Sequence, residues 1–400
     1  MFPDQPPSVP PDPVTPVPLP PVHRMAVPGT VALAAMLAAM AMLGPFSIDA
    51  YLPAFPNIQA DLKATPIEVQ QTLTAYMLAF AAMVLWHGAL ADAFGRRNVV
   101  LVSLVVFAIG TFGCAASHSV HYLWIFRIMQ GVSAGAGVVV GRAIIRDLFA
   151  DAAAARLLSL VTMIFTIAPA IAPILGGWVV TFFDWRAIFL GLLAYAVALF
   201  VYCYMRLPET LPLAKRQPFN PRFLWSSYRA IFSSPLFHMK AGISALNFAG
   251  LFLYITAAPV MLPLHMGLGP SQFGWLFIPS VSGIFLGALA ANRIAGKVTF
   301  ARQIGFGFCA LLGAAVVNVL YHSFFPPTVP WTFVPLFFYS FGMSIIAPGA
   351  TLLGALVAGV IAPFLSHSVI WLAYGQLAFS LAALGLWVAS RVYRRRNPHL

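Results

Sequence analysis

Charge is scarce in this chain: only 8% of its 400 residues are Asp, Glu, Lys or Arg, against roughly a quarter in soluble domains. Hydrophobic residues make up 61% and the mean hydropathy is +0.89, so water is not the main solvent. Cysteine is scarcer still. Cys114, Cys203 and Cys309 stand singly inside apolar runs, which excludes a disulfide framework and a zinc site, and no other metal-ligand spacing occurs. The spans hold no His/Glu metal pattern and no serine–base pair, and the histidines sit mostly at span ends, so neither an enzyme nor a cofactor is expected. The excess of +12 would suit nucleic acid only if gathered on one solvated face. The basic residues instead occupy short loops between apolar runs, and a nucleic-acid partner is set aside.

What is abundant is long apolar segments. A spanning helix needs about 20 apolar residues, and such segments run near 29–55, 67–91, 99–116, 122–141, 157–182 and 187–205, then 238–262, 273–291 and 304–321. Residues 1–26, rich in proline, read as a disordered tail, 27–206 as a six-helix bundle and 207–235 as a polar linker. A second bundle covers 236–391, and 392–400 is a basic tail. Alternate loops are strongly basic while those between them hold only Lys63 and Arg186, which predicts both termini on the cytoplasmic side. An even number of crossings then packs three into 331–390, about 20 residues each with nothing left for loops. Distorted geometry is expected there. The two halves echo each other: Gly88-Ala-Leu-Ala91 closes the second span and Gly287-Ala-Leu-Ala290 the eighth, as in a transporter built from parallel repeats.

Nine of the ten acids fall in the tail or in loops, and only Asp49 lies within a span. Intramembrane carboxylates usually face a bundle interior or a cavity, where they often carry protons; the plainer reading is an interfacial acid at a helix end. Arg127, at similar depth on the fourth span, is its expected partner, unless it snorkels to headgroups instead. Burial and a neighbouring cation act on a carboxyl in opposite senses, so conformation could switch Asp49 between protonated and ionised forms. The run from Gly88 through Asp92, Gly95, Arg96 and Arg97 reads as a conformational latch, with Asp92 expected to pair with Arg142 or Arg146. In the fifth span Pro169, Pro173, Gly176 and Gly177 combine helix-kinking prolines with small residues that permit close contact. Tyr51, Tyr76, Phe126, Asn247 and Tyr254 are the aromatic and amide residues expected to meet a small-molecule substrate.

Together FSIDAYLPAFP (46–56), GALADAFGRR (88–97), RIMQGVSAGAG (127–137) and APAIAPILGG (168–177) resemble the major facilitator superfamily, most closely its bicyclomycin and chloramphenicol resistance (Bcr/CflA) drug:proton antiporters. The resemblance implies an all-α membrane protein of two six-helix bundles around a central cavity, monomeric, in the bacterial inner membrane. It implies export of small amphipathic drugs in exchange for protons, with no cofactor beyond the proton gradient. Asp49 and Arg127 would carry the coupling, Asp92 with Arg96 and Arg142 the outward-open state, and Pro173 with Gly176 and Gly177 the antiporter kink. Val84 and Ala89 stand where glutamine and proline are expected. Some twenty residues are missing where Leu353 meets Gly354, which shortens the region of helices 10 and 11. An uptake carrier for a small metabolite and an inactive truncated carrier are the alternatives.

Overall fold

Lipid offers backbone groups no partners, so a segment that crosses it must satisfy its own N–H and C=O groups, and the apolar segments accordingly form helices. The computed structural model describes residues 29–294, 296–346, 361–362 and 364–396. Among these, ten helices are long and apolar enough to cross a membrane. The first crossing is α1 (Thr30–Asp49), a 3₁₀ turn at Leu52–Ala54 and α2 (Phe55–Leu62). There follow α3 (Pro66–Phe94), α4 (Arg96–Ala115), the crossing shared by α5 (Val120–Ala134) and α6 (Ala136–Leu148), α7 (Asp151–Phe182) and α8 (Arg186–Arg206). The linker holds the short amphipathic helix α9 (Pro221–Phe232). The second half contains α10 (Pro235–Val260), α11 (Gly274–Ile294), α12 (Phe300–Phe324), α13 (Val334–Ile346) and α14 (Val369–Arg396).

Local sequence sets the helix starts. Thr65 and Glu68 cap α3 reciprocally, the Thr65 amide donating to Glu68 Oε2 at 2.7 Å and the Glu68 amide to Thr65 Oγ1 at 3.2 Å, with Pro66 in the first turn. Asn220 accepts from the amides of Arg222 and Phe223 to start α9. Of the three crossings expected between Trp331 and Ser390, the described residues hold the 13-residue α13 and the 28-residue α14. The shortened region near 350–355 lies outside the described residues.

The repeat expected from the two GALA sequences is visible in the packing. In the first half α5 packs on α3 and α4, and α4 on α8; in the second, α13 packs on α11 and α12, and α12 on α14. Small residues allow the close approaches. A Cβ at Gly131 would lie 2.2 Å from the Tyr76 carbonyl oxygen, and one at Gly283 2.2 Å from that of Phe337. The halves meet where α7 runs against α11 and against the turn at Pro270–Gln272, at the end of the bundle opposite the basic loops. Large apolar side chains such as Phe112, Ile125, Trp178 and Phe338 are exposed over the helix surfaces, as expected where lipid replaces water.

Candidate functional site

Arg127 on α5 is fully buried between the rings of Tyr51 and Tyr76, its guanidinium carbon 4.6 and 4.4 Å from their centroids. Its Nη1 donates to the Ser47 carbonyl at 3.1 Å and to Gln130 Oε1 at 2.8 Å. Gln130 Nε2 in turn donates to Thr111 Oγ1 at 2.8 Å on α4. The rings are themselves held: the Tyr51 hydroxyl is hydrogen-bonded to Thr72 at 2.8 Å, and Tyr76 donates to the Gly44 carbonyl at 3.1 Å. Cation–π contacts and charge-assisted hydrogen bonds both strengthen where water is excluded, so this cage fixes one positive charge among α1, α3, α4 and α5.

Asp49, the last residue of α1, is also buried, at 5% exposure. No ion pair joins it to Arg127, contrary to the sequence expectation, and among the described residues no hydrogen bond reaches its carboxyl. The reason is helical phase. Ser47 and Tyr51 lie four residues apart on the face turned to Arg127, while Asp49 sits about 200° around the helix from Ser47. The arginine therefore takes a backbone carbonyl and two π faces on the same helix end instead of the carboxylate.

The glycine pair of α7 presses on this turn. A Cβ at Gly176 would fall 2.0 Å from the Ala50 carbonyl oxygen, and one at Gly177 2.0 Å from that of Pro270 in the other half. Adjacent glycines thus touch the Asp49 turn on one side and the seam between the halves on the other. Pro173 is buried just before them, whereas Pro169 is half-buried. Gly176→Ala is already expected to force α1 and α7 apart, since its Cβ meets backbone, which cannot yield as a side-chain tip does; transport should fall well below that of the native protein while the variant still reaches the membrane, measured by efflux normalised to protein level.

The latch has a different composition from the one expected. Arg96, buried, pairs with Asp92 at 2.5 Å and with Asp147 at 3.1 Å, while Arg142 and Arg146 are exposed and form no ion pair among the described residues. Asp92 reaches Arg96 because the two are four residues apart across the α3–α4 corner, so a local pair forms where a longer-range one was expected. That corner needs Gly95, at φ +96°, a conformation costly for any residue with a Cβ. Glu209 Oε1 accepts from the Arg96 amide at 2.9 Å, Thr210 donates to Asp147 at 2.9 Å, and the Gln217 amide donates to the Asp92 carbonyl at 3.2 Å. Arg97 donates to the Tyr204 carbonyl at 2.7 Å and lies over that ring. A Cβ at Gly88 would meet Val139 at an ordinary 3.8 Å. The latch is therefore bound to the linker, which the sequence reading missed; the acids Asp147 and Glu209 in basic loops were the available signal.

The expected substrate residues are mostly enclosed. Tyr51 and Tyr76 serve the arginine cage, and Phe126 of α5 packs against α4, where a Cβ at Gly113 would strike its ring. Tyr254 is fully buried and accepts from Asn318 Nδ2 at 2.7 Å, and Asn318 also donates to Gln376 at 2.8 Å. Asn247 is 2% exposed; its backbone carbonyl accepts from Tyr339 at 3.0 Å, while neither side-chain amide atom has a hydrogen-bond partner among the described residues. Asn318, Tyr339 and Gln376 were not foreseen, since a single amide or phenol in an apolar run carries no pattern. A cavity of about 340 Å³ opens between α7 and α11, lined by Thr166, Ile167, Val281, Ser282, Phe285 and Leu286.

The chain is 32% identical over 66% of its length to a bicyclomycin resistance protein homolog of Haemophilus influenzae, covering 66% of that relative. It is 28% identical over 84% of its length to multidrug resistance protein D of Escherichia coli, covering 82% of it. In fold it resembles the human organic anion transporter MFSD10 (TETRAN), with a TM-score of 0.59 at 20% identity over 91% of this chain and 94% of the other. The family and these structural neighbours are transporters, not enzymes. Residues 37–358 match the family model described as Major Facilitator Superfamily, and the chain, a multi-pass membrane protein, belongs to that superfamily.

Proposed function

We propose that this protein exports small amphipathic drugs, of the chloramphenicol-like or bicyclomycin-like kind, across the bacterial inner membrane in exchange for protons, with both termini cytoplasmic. The observation that carries this reading lies at the end of α1: a buried carboxyl that makes no ion pair or hydrogen bond among the described residues, on the same helix end whose other face holds a buried arginine in a cage. A group in that position can exchange a proton without breaking an ion pair, and the fixed positive charge makes its two states differ electrostatically. Gly176 and Gly177 give the change a path, because movement of the Asp49–Ala50 turn is passed through two backbone contacts to Pro270 across the seam. Coupling of this kind needs an element with two arrangements that both sites bias, and the α7–α11 seam is the element this reading assigns to it.

The cavity at that seam suits the substrate class. Its walls are apolar apart from the hydroxyls of Thr166 and Ser282, and about 340 Å³ matches the lower end of small-molecule sites. The names of the relatives point the same way, toward resistance compounds. Expression in an efflux-deficient bacterium should raise resistance to such compounds and lower their accumulation, and an uncoupler should abolish both effects. Accumulation that rises on expression, and falls with the uncoupler, would instead mark an uptake carrier.

A further inference from the structure

The net charge is not spread along the chain. Ten basic and ten acidic residues precede Thr210, and all twelve remaining basic residues follow it with no acid among them, so the excess of +12 belongs to the second half alone. Those twelve fall within 215–240, 293–302 and 391–396, all at the basic-loop end, while the turns at 261–273 and 325–333 carry none. Arg216 is partnered by Glu209, the last acid of the chain, at 3.4 Å. For the cations beyond it, this half offers no aspartate or glutamate.

Helix α9 carries two of these cations, Arg222 and Arg229. Arg222, Trp225 and Arg229, spaced i, i+3 and i+7, share one side of it. Trp225 is 69% exposed, Phe232 beside it 49%, and neither arginine forms an ion pair among the described residues. Tyr228, three residues on from Trp225 and on the adjoining side, reaches the first half, where its hydroxyl donates to the Leu85 carbonyl of α3. That contact sets the depth. The 29 residues of α3 extend about 43 Å and overhang a ~30 Å hydrocarbon core by about 7 Å at each end. Leu85, nine residues before the helix end, then lies about 7 Å inside the boundary, and α9 runs where headgroups meet acyl chains. An aromatic ring flanked by two unpaired guanidinium groups at that level matches a phosphate-bearing headgroup with its chains below.

We propose that the Arg222–Trp225–Arg229 side of α9, together with the uncompensated cations around it, is a docking surface for anionic phospholipids of the leaflet at the basic-loop end. A soluble anion would engage the arginines alone and leave the exposed rings in water, whereas a lipid meets both.

The test uses the full chain in vesicles of phosphatidylcholine with phosphatidylglycerol, followed by purification and mass-spectrometric measurement of the retained lipids. Phosphatidylglycerol should be enriched over phosphatidylcholine, and rising salt should weaken the enrichment. Removing each arginine should lower it about fivefold, the size expected for one cation near an anionic surface, so R222Q/R229Q should lose most of it. R222K/R229K should keep most of it, which separates loss of charge from loss of fold. Unchanged enrichment in R222Q/R229Q, or equal loss in the lysine variant, overturns the proposal. Displacement by inorganic phosphate beyond that by chloride at equal ionic strength also overturns it, in favour of a simple anion site.

Discussion

Asp49→Asn is expected to abolish uncoupler-sensitive efflux while leaving insertion and abundance unchanged. Asparagine matches aspartate in size, and because no ion pair or hydrogen bond among the described residues reaches the native carboxyl, the substitution breaks none. Stability should move by no more than the ~0.5 kcal/mol typical of substitutions that disturb no special feature. What asparagine cannot do is carry the proton. In reconstituted vesicles the variant should still bind drug, yet adding drug should release no protons and an imposed proton gradient should drive no uptake. Persistence of gradient-driven transport in Asp49→Asn would remove this residue from the mechanism. Loss of the protein from the membrane would show instead that the buried acid has a structural role, a result that an abundance measurement separates from lost coupling.

Arg127→Lys should be almost as damaging as Arg127→Met, although it keeps the charge. The guanidinium does three things at once: it stacks between Tyr51 and Tyr76, donates to the Ser47 carbonyl and donates to Gln130. A lysine ammonium is a point donor on a flexible stem, with no flat face to lie between two rings. Desolvated cation–π contacts are worth about 2 kcal/mol each, and losing much of two of them corresponds to a fall of roughly a hundredfold in the population of the caged arrangement. Transport should fall accordingly in both variants. The lysine variant should show altered tryptophan or tyrosine fluorescence in the purified protein, and normal transport by Arg127→Lys would mean that charge alone matters there.

These expectations depend on a site that was only partly readable before folding. The residues themselves were visible, because a carboxylate and an arginine inside apolar runs break the pattern that lipid imposes on every neighbour. Their relation was not. Depth along a helix follows from residue number, so the sequence puts Asp49 and Arg127 at one level, but which face each side chain occupies depends on how α1 rotates against α5. That rotation was decided by contacts with no sequence signature, such as the Ser47 carbonyl and the Tyr51 and Tyr76 rings. The latch differs for a related reason. The sequence reading paired Asp92 with Arg142 or Arg146, whereas it meets Arg96 beside Asp147, and Glu209 and Gln217 join the cluster only because the linker folds back onto the α3–α4 corner.

That this chain lives in lipid, that its segments are helices and that its two halves repeat was legible in the order of its amino acids. Those properties follow from period, length and the cost of charge in hydrocarbon, which act on each segment alone. Which polar groups meet was settled by how the helices pack, because in a medium as apolar as the side chains themselves helices choose neighbours by close packing of small residues and by hydrogen bonds. Gly176 against Ala50, Gly177 against Pro270 and Arg127 between two tyrosines are such choices, each made by shapes from helices far apart in the chain.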